Sequence, residues 1–97
     1  MNIHTIFGCP SESKCTVQAV TNTTAAVTLD ASSVYMLMPD EDCHISVDPA
    51  DTAVTTSGPK FPGGQVYVIH TTRVNFYLNV IRSSVDGNLY ITKLISN

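Results

Sequence analysis

The sequence predicts a single all-β domain, a small β-sandwich or jelly-roll-like fold of seven to eight short strands behind an N-terminal arm. Ser and Thr make up 21 of the 97 residues while Leu, Glu, Lys and Arg are scarce, and this composition favours half-buried strands over helices. Short apolar runs alternate with period two, and turn-forming residues recur between them, as in sandwiches. The length suits one domain with one core.

The N-terminal part divides into an arm and two weak strands. Residues 1–15 have no clear period, so we expect an arm that orders on a neighbour and a sandwich domain over 16–97. The next segment alternates weakly: Val17 and Ala19 fall on one face of one strand, and Val27 and Leu29 on one face of the next. A polar turn around Asn22 separates them, which predicts a hairpin.

The segment "SSVYMLMPDEDCHISVDP" predicts a strand, a turn and a second strand. Pro39 closes the first strand, and three carboxylates follow in the turn. Successive strand side chains point to opposite faces. Cys43, Ile45 and Val47 should therefore face the core, whereas His44, Ser46 and Asp48 should face solvent.

The C-terminal half predicts a long connection and three strands. Residues 49–64 are rich in Pro, with a short extended piece at 52–56 and a turn at Pro62 and Gly63. Three strands should follow, each with its apolar residues on one face. The first has Val66 and Val68, the second has Val74, Phe76, Leu78 and Val80, and the third has Leu89 and Ile91. Asp86 and Gly87 predict a tight hairpin turn with positive φ between the last two strands.

Charge and hydropathy restrict the partners. The net charge is −3 and the five Lys and Arg are spread singly, so we expect no nucleic acid and no membrane partner. No basic start leads into an apolar run, which predicts neither a signal peptide nor a transmembrane span. In a reducing cytosol the cysteines should be thiols, although Cys9 and Cys15 are close enough to pair if the protein later meets oxidising conditions.

Residues that could carry chemistry do not form a recognisable site. Zinc ligands are present, but no C-x2-C pair occurs, and the carboxylates fit no EF-hand spacing. Nucleophilic catalysis has candidate bases without a G-x-S-x-G elbow, and "FPGGQ" lacks the Lys and helix of a phosphate loop. We therefore predict no enzyme activity, no small-molecule substrate, no cofactor, and no catalytic, cofactor-binding or metal residue. The residues weighed are His4, Cys9, Cys15, Asp40, Glu41, Asp42, Cys43, His44, Asp48, Asp51 and His70.

The aromatic residues suggest one further kind of site. Four tyrosines could line a sugar or protein contact if they shared an exposed face. Half-buried strand tyrosines are the commoner outcome. The four are Tyr35, Tyr67, Tyr77 and Tyr90.

From Val34 to Leu94 the order of features resembles a group of small virion proteins of tailed bacteriophages. The shared features are "VYML", the turn into "DCHISV", the connection "PADTAVTTSGP", the "FPGG" turn, an apolar strand pair and the final "GNLYIT". The glycine that these relatives carry after the Cys-His strand is replaced here by Val47 and Asp48. The matched residues have structural rather than chemical roles.

This resemblance implies a capsid cement or decoration protein. Such a protein would bind the major capsid protein and stabilise the head, sit on the capsid surface of the virion after assembly in the host cytoplasm, and form a homo-oligomer. The alternative function is a neck or tail connector, or a virion module that binds carbohydrate on the host surface. Small sandwiches with exposed edge strands often remove those edges by assembly, which agrees with this reading.

Overall fold

The computed structural model describes residues 15–96, which form eight strands in two antiparallel sheets and contain no helix. The predicted fold class is therefore confirmed. Strand β1 begins at Cys15, the last residue of the predicted arm; the rest of that arm lies outside the described residues. The strands are β1 Cys15–Val20, β2 Ala25–Leu29, β3 Ser33–Pro39, β4 Cys43–Asp48, β5 Lys60–Phe61, β6 Tyr67–His70, β7 Phe76–Arg82 and β8 Gly87–Ser96.

The strand order is that of a jelly roll. The first sheet, sheet A, has the order β1-β8-β3-β6, and the second, sheet B, has the order β2-β7-β4-β5. The antiparallel pairs β1–β8, β2–β7, β3–β6 and β4–β5 are nested inside one another. The chain thus behaves as one long ribbon of paired strands that is wrapped into two layers, as in eight-stranded jelly rolls.

Both predicted hairpins are wrong for the same reason. Strands β1 and β2 lie in different sheets, and so do β7 and β8. The turns around Asn22 and Asp86 are therefore corners between the layers rather than links within one sheet. Among the described residues, positive φ angles occur at Ser32 and Gly64. The positive φ predicted for the turn at Asp86 and Gly87 is therefore absent.

The core lies between the two sheets. Inward side chains alternate along each strand, and the most deeply buried include Leu37 and Leu89 from sheet A and Ile45, Leu78 and Val80 from sheet B. Burial of a large aliphatic side chain contributes about 1.5–3 kcal/mol, so this layer supplies most of the stability. The predicted core faces of β4, β7 and β8 are confirmed.

Two predictions in the second half are wrong. Val74 lies before β7 and is 51% exposed rather than in the core. Residues 52–56 form no strand, whereas Lys60–Phe61 pairs with the start of β4 as the short strand β5. The predicted turn after β5 is present, since Gly64 has a φ of 79° and donates its N–H to the Pro39 carbonyl at 2.8 Å. Glycine adopts such a φ without strain.

Candidate functional site

The corner between β3 and β4, residues 40–42, carries three carboxylates, and the first two residues of β4 add a thiol and an imidazole. It joins sheet A to sheet B, because β3 ends in one and β4 starts in the other. The corner between β7 and β8 packs against it, since the Ser83 N–H donates to the Asp42 carbonyl at 3.1 Å. The turn after β5 also contacts it, through the Gly63 N–H that donates to Asp42. This is the densest cluster of reactive residue types in the described chain.

Two of the carboxylates accept hydrogen bonds from backbone amides. Asp40 Oδ1 accepts the N–H of Asn88 at 2.7 Å, and Asp42 Oδ1 accepts the N–H of Gly63 at 2.8 Å. The hydrogen bond from Gly63 holds the pKa of the Asp42 carboxyl below its usual range. Lys60 contributes to this lowering, since its Nζ lies 3.6 Å from Asp42 Oδ2. These side chains therefore tie three turns together.

Close packing limits what this corner can accept. A Cβ built on Gly63 would lie 2.7 Å from backbone atoms of Glu41, so no larger residue fits there without movement. The described residues contain no group of three or more His, Cys, Asp and Glu side chains that could hold a metal ion. The predicted absence of metal residues at His4 and Cys9 concerns residues outside the described range.

Cys43 points into the core, as predicted. Its side chain is fully buried beside the apolar residues of both sheets. Burial, together with the negative charges of Asp42 and Asp40, raises the pKa of the thiol from 9.0 to about 11. A nucleophilic cysteine needs the opposite shift, so this thiol behaves as a small hydrophobe. Cys15, in contrast, is disulfide-bonded.

The prediction that His44 faces solvent is wrong. Its ring is on the outer face of sheet B, yet it is only 6% exposed, because the connection between β4 and β5 folds back over that face. Nδ1 lies 2.9 Å from the Gly58 carbonyl oxygen. A carbonyl can only accept, so Nδ1 carries the proton and the ring serves to hold the connection.

The same connection has two further anchors on sheet B. Val54 is buried at 5% exposure, and the buried Asn79 amide donates from Nδ2 to Asp51 Oδ1 at 3.1 Å. Sequence reasoning missed this role of residues 49–59. A signal was present in Val54, the one large apolar residue in an otherwise polar and Pro-rich segment.

The tyrosines do not form a shared platform. Tyr35 lies in the core and accepts the Asp30 N–H at 2.8 Å, and Tyr67 packs edge-on against Phe61 with ring centroids 4.9 Å apart. By strand alternation, Tyr90 lies on the outer face of sheet A and Tyr77 on that of sheet B. The arrangement therefore lacks the common aromatic face that a sugar site would need.

A cavity of about 280 Å³ lies between the sheets beside β1 and β2. Its walls include the buried Leu29 and Ile91, and its rim carries an ion pair between Lys93 Nζ and Asp30 Oδ2 at 2.8 Å. The lining contains one acid and one base that already neutralise each other. No described group in the cavity is arranged for catalysis.

The outer face of sheet A is apolar. Strand alternation places Val17, Tyr90 and Met38 in one row and Thr92, Met36 and Val68 in the next. Val17 and Val68, on the edge strands, are 53% and 54% exposed, whereas Met38 and Thr92 in the middle are buried. Between residues 15 and 94, the outward positions of this sheet carry no Asp, Glu, Lys or Arg.

This apolar face is a candidate contact surface, and sequence reasoning undervalued it. The runs "VYMLM" in β3 and "YVI" in β6 are apolar at successive positions rather than at alternate ones. Continuous apolar runs indicate strands with something to bury on both sides. Exposed apolar patches mark protein interaction sites.

The described residues contain no helix that is long and apolar enough to cross a membrane. The chain was compared with protein-family models, with curated proteins and with solved structures, and none of them matched.

Proposed function

We propose that this protein is a non-enzymatic structural component of a phage virion, a cement or decoration protein that binds the major capsid protein and stabilises the head. The observation that carries the proposal is the apolar outer side of sheet A, where Val17 and Val68 on the edge strands are 53% and 54% exposed. Such a surface suits a protein partner rather than a polar ligand.

Two further features support a structural role. The side chains that could perform chemistry are used to hold the fold: Asp40 and Asp42 bind backbone amides, and His44 binds the Gly58 carbonyl. Eight-stranded jelly rolls also occur in viral capsid and lectin domains. Fold alone does not decide function, so the jelly roll adds to the argument without carrying it.

The alternative is a neck or tail connector, or a module that binds host carbohydrate. The dispersed tyrosines disfavour the carbohydrate version, because no pair of them shares an exposed face. A connector would need an apolar contact surface just as a cement protein would. The number of copies per particle distinguishes a connector from a cement protein.

The first test is quantitative mass spectrometry of purified phage particles, with the major capsid protein as the internal standard. A ratio near one, or a simple fraction such as one third, supports the shell. A ratio like that of the portal supports the neck, and absence from the particles overturns the proposal.

The second test examines the surface. Val68→Asp should abolish sedimentation of the chain with shells that lack it, because a carboxylate would be desolvated in the apolar contact. Thr52→Asp is the matched control, since Thr52 is exposed in the connection over sheet B. Equal loss of binding for both variants would remove sheet A as the contact surface.

A further inference from the structure

The two sides of the sandwich differ in how their edge strands are protected. Strands β1 and β2 are the edges on one side, which we call the β1/β2 side, and β5 and β6 are the edges on the other. Between residues 15 and 29 there is no Asp, Glu, Lys, Arg or Pro. Natural sheets use charge, proline, bulges and short strands to prevent edges from pairing.

The β5/β6 side carries those protective features. Strand β5 has only two residues, lies between Pro59 and Pro62, and includes Lys60. Strand β6 has four residues. The β1/β2 side has five- and six-residue strands with none of these devices. The contrast indicates that one side is kept from pairing and the other is not.

Strand β2 has the geometry of an open edge. Among the described strands its one neighbour is β7, and the register between them runs without a shift from Ala25 to Leu29. Alternate N–H and C=O groups of β2 therefore point away from the sheet. Ala26 and Thr28 are exposed, so small or β-branched side chains flank these groups and leave them accessible.

We propose that the free edge of β2 pairs antiparallel with the same edge of a second copy of this chain. A two-fold axis places each residue of β2 opposite a residue of β2 in the second copy. Charged residues on this edge would therefore bring like charges close together and disfavour pairing. With Val27 on the axis, Ala25 lies opposite Leu29. The nearest charge, Asp30, falls opposite Thr24.

This pairing joins the two copies of sheet B into one continuous eight-stranded sheet. It uses the edge of β2 in sheet B and no residue on the outer face of sheet A. The inference is therefore independent of the proposed function, since self-association is measured on the purified chain alone and shell binding needs particles. Either can fail without the other.

The test introduces like charges across the axis. In the double variant Ala26→Lys/Thr28→Lys, lysines of one copy lie opposite lysines of the other, and both positions are exposed in the single chain. Sedimentation equilibrium of the full chain should show a dimer for the wild type and at least tenfold weaker association for the variant. The matched control adds two lysines to the protected side, as Val68→Lys/His70→Lys, and should still dimerise.

A rescue experiment separates pairing from damage to the fold. Mixing the lysine variant with Ala26→Glu/Thr28→Glu should restore dimers, because opposite charges then face each other across the axis. Thermal melting by circular dichroism checks that each variant is folded. A wild-type chain that stays monomeric at millimolar concentration overturns the proposal, as does dissociation by the control variant with no effect of the β2 variants.

Discussion

The two outer faces of the sandwich are covered in different ways. Residues 49–59 lie over sheet B and are held by the His44 ring, the Asn79 amide and the buried Val54. Sheet A instead presents exposed valines on its outer strands, Val17 and Val68. Polar residues mark the face of sheet B that the connection covers, whereas the apolar face of sheet A is exposed at its edge strands and buried in its middle, at Met38 and Thr92. Polarity of a strand face therefore does not show whether the chain itself covers it.

The largest expected effect comes from placing the same charge on both faces. Val54→Asp should cost about 3 kcal/mol, because it removes a buried apolar side chain and desolvates a carboxylate. Val68→Asp should cost less than about 1 kcal/mol, since that side chain is already half in solvent. Urea unfolding of the two variants measures the difference. Equal costs would mean that the connection does not cover sheet B.

A smaller effect should follow from removing one polar anchor of the connection. Asn79→Ala deletes the buried donor to Asp51 and should lower the free energy of unfolding by about 1.5 kcal/mol. Hydrogen exchange of residues 49–59 should also become faster, while exchange in sheet A stays unchanged. Thr28→Ala, on the same face but exposed, serves as the control. Unchanged exchange in the connection would show that Asn79 does not hold it.

The smallest expected effect is a pH dependence of stability that arises in β4, where Cys43 faces the interior and His44 faces the covered side of sheet B. Because burial raises the pKa of the folded-state thiol from 9.0 to about 11, the unfolded chain loses its proton first as pH rises. Stability is complete below pH 9 and falls toward pH 11, by on the order of 1 kcal/mol at pH 10. Cys43→Ala should flatten this alkaline slope in denaturant titrations. An equal slope in both chains would contradict the assignment.

The sequence was informative about strands and the faces of single strands. Alternation placed Cys43 and Ile45 inward and identified Leu78, Val80, Leu89 and Ile91 as core, because a period of two is a local property. Composition, together with the alternation of apolar residues and the spacing of turn residues, was enough for the fold class. Pro39 marked the real end of β3, since proline removes a ladder donor.

The pairing of strands was not predictable in the same way. The hairpins expected at Asn22 and Asp86 follow local turn chemistry, whereas a jelly roll pairs strands that are far apart in the chain. His44 was misplaced because strand parity gives the side of the sheet and says nothing of a segment that returns later to cover it. The role of the carboxylates in the corner was also hidden, since their partners Gly63 and Asn88 are 21 and 48 residues away.

The nested strand order has a consequence for biosynthesis. Strand β8 lies between β1 and β3 in sheet A, so a central position of that sheet is filled by the strand that leaves the ribosome after the other seven. Until then β1 lacks its described strand partner, and one edge of β3 has no strand to pair with. Such non-local pairing folds slowly and leaves edges open during synthesis. Sheet A therefore cannot be completed before β8 has been synthesised, and a ribosome that stalls just before Gly87 holds a chain with all four strands of sheet B and an interrupted sheet A.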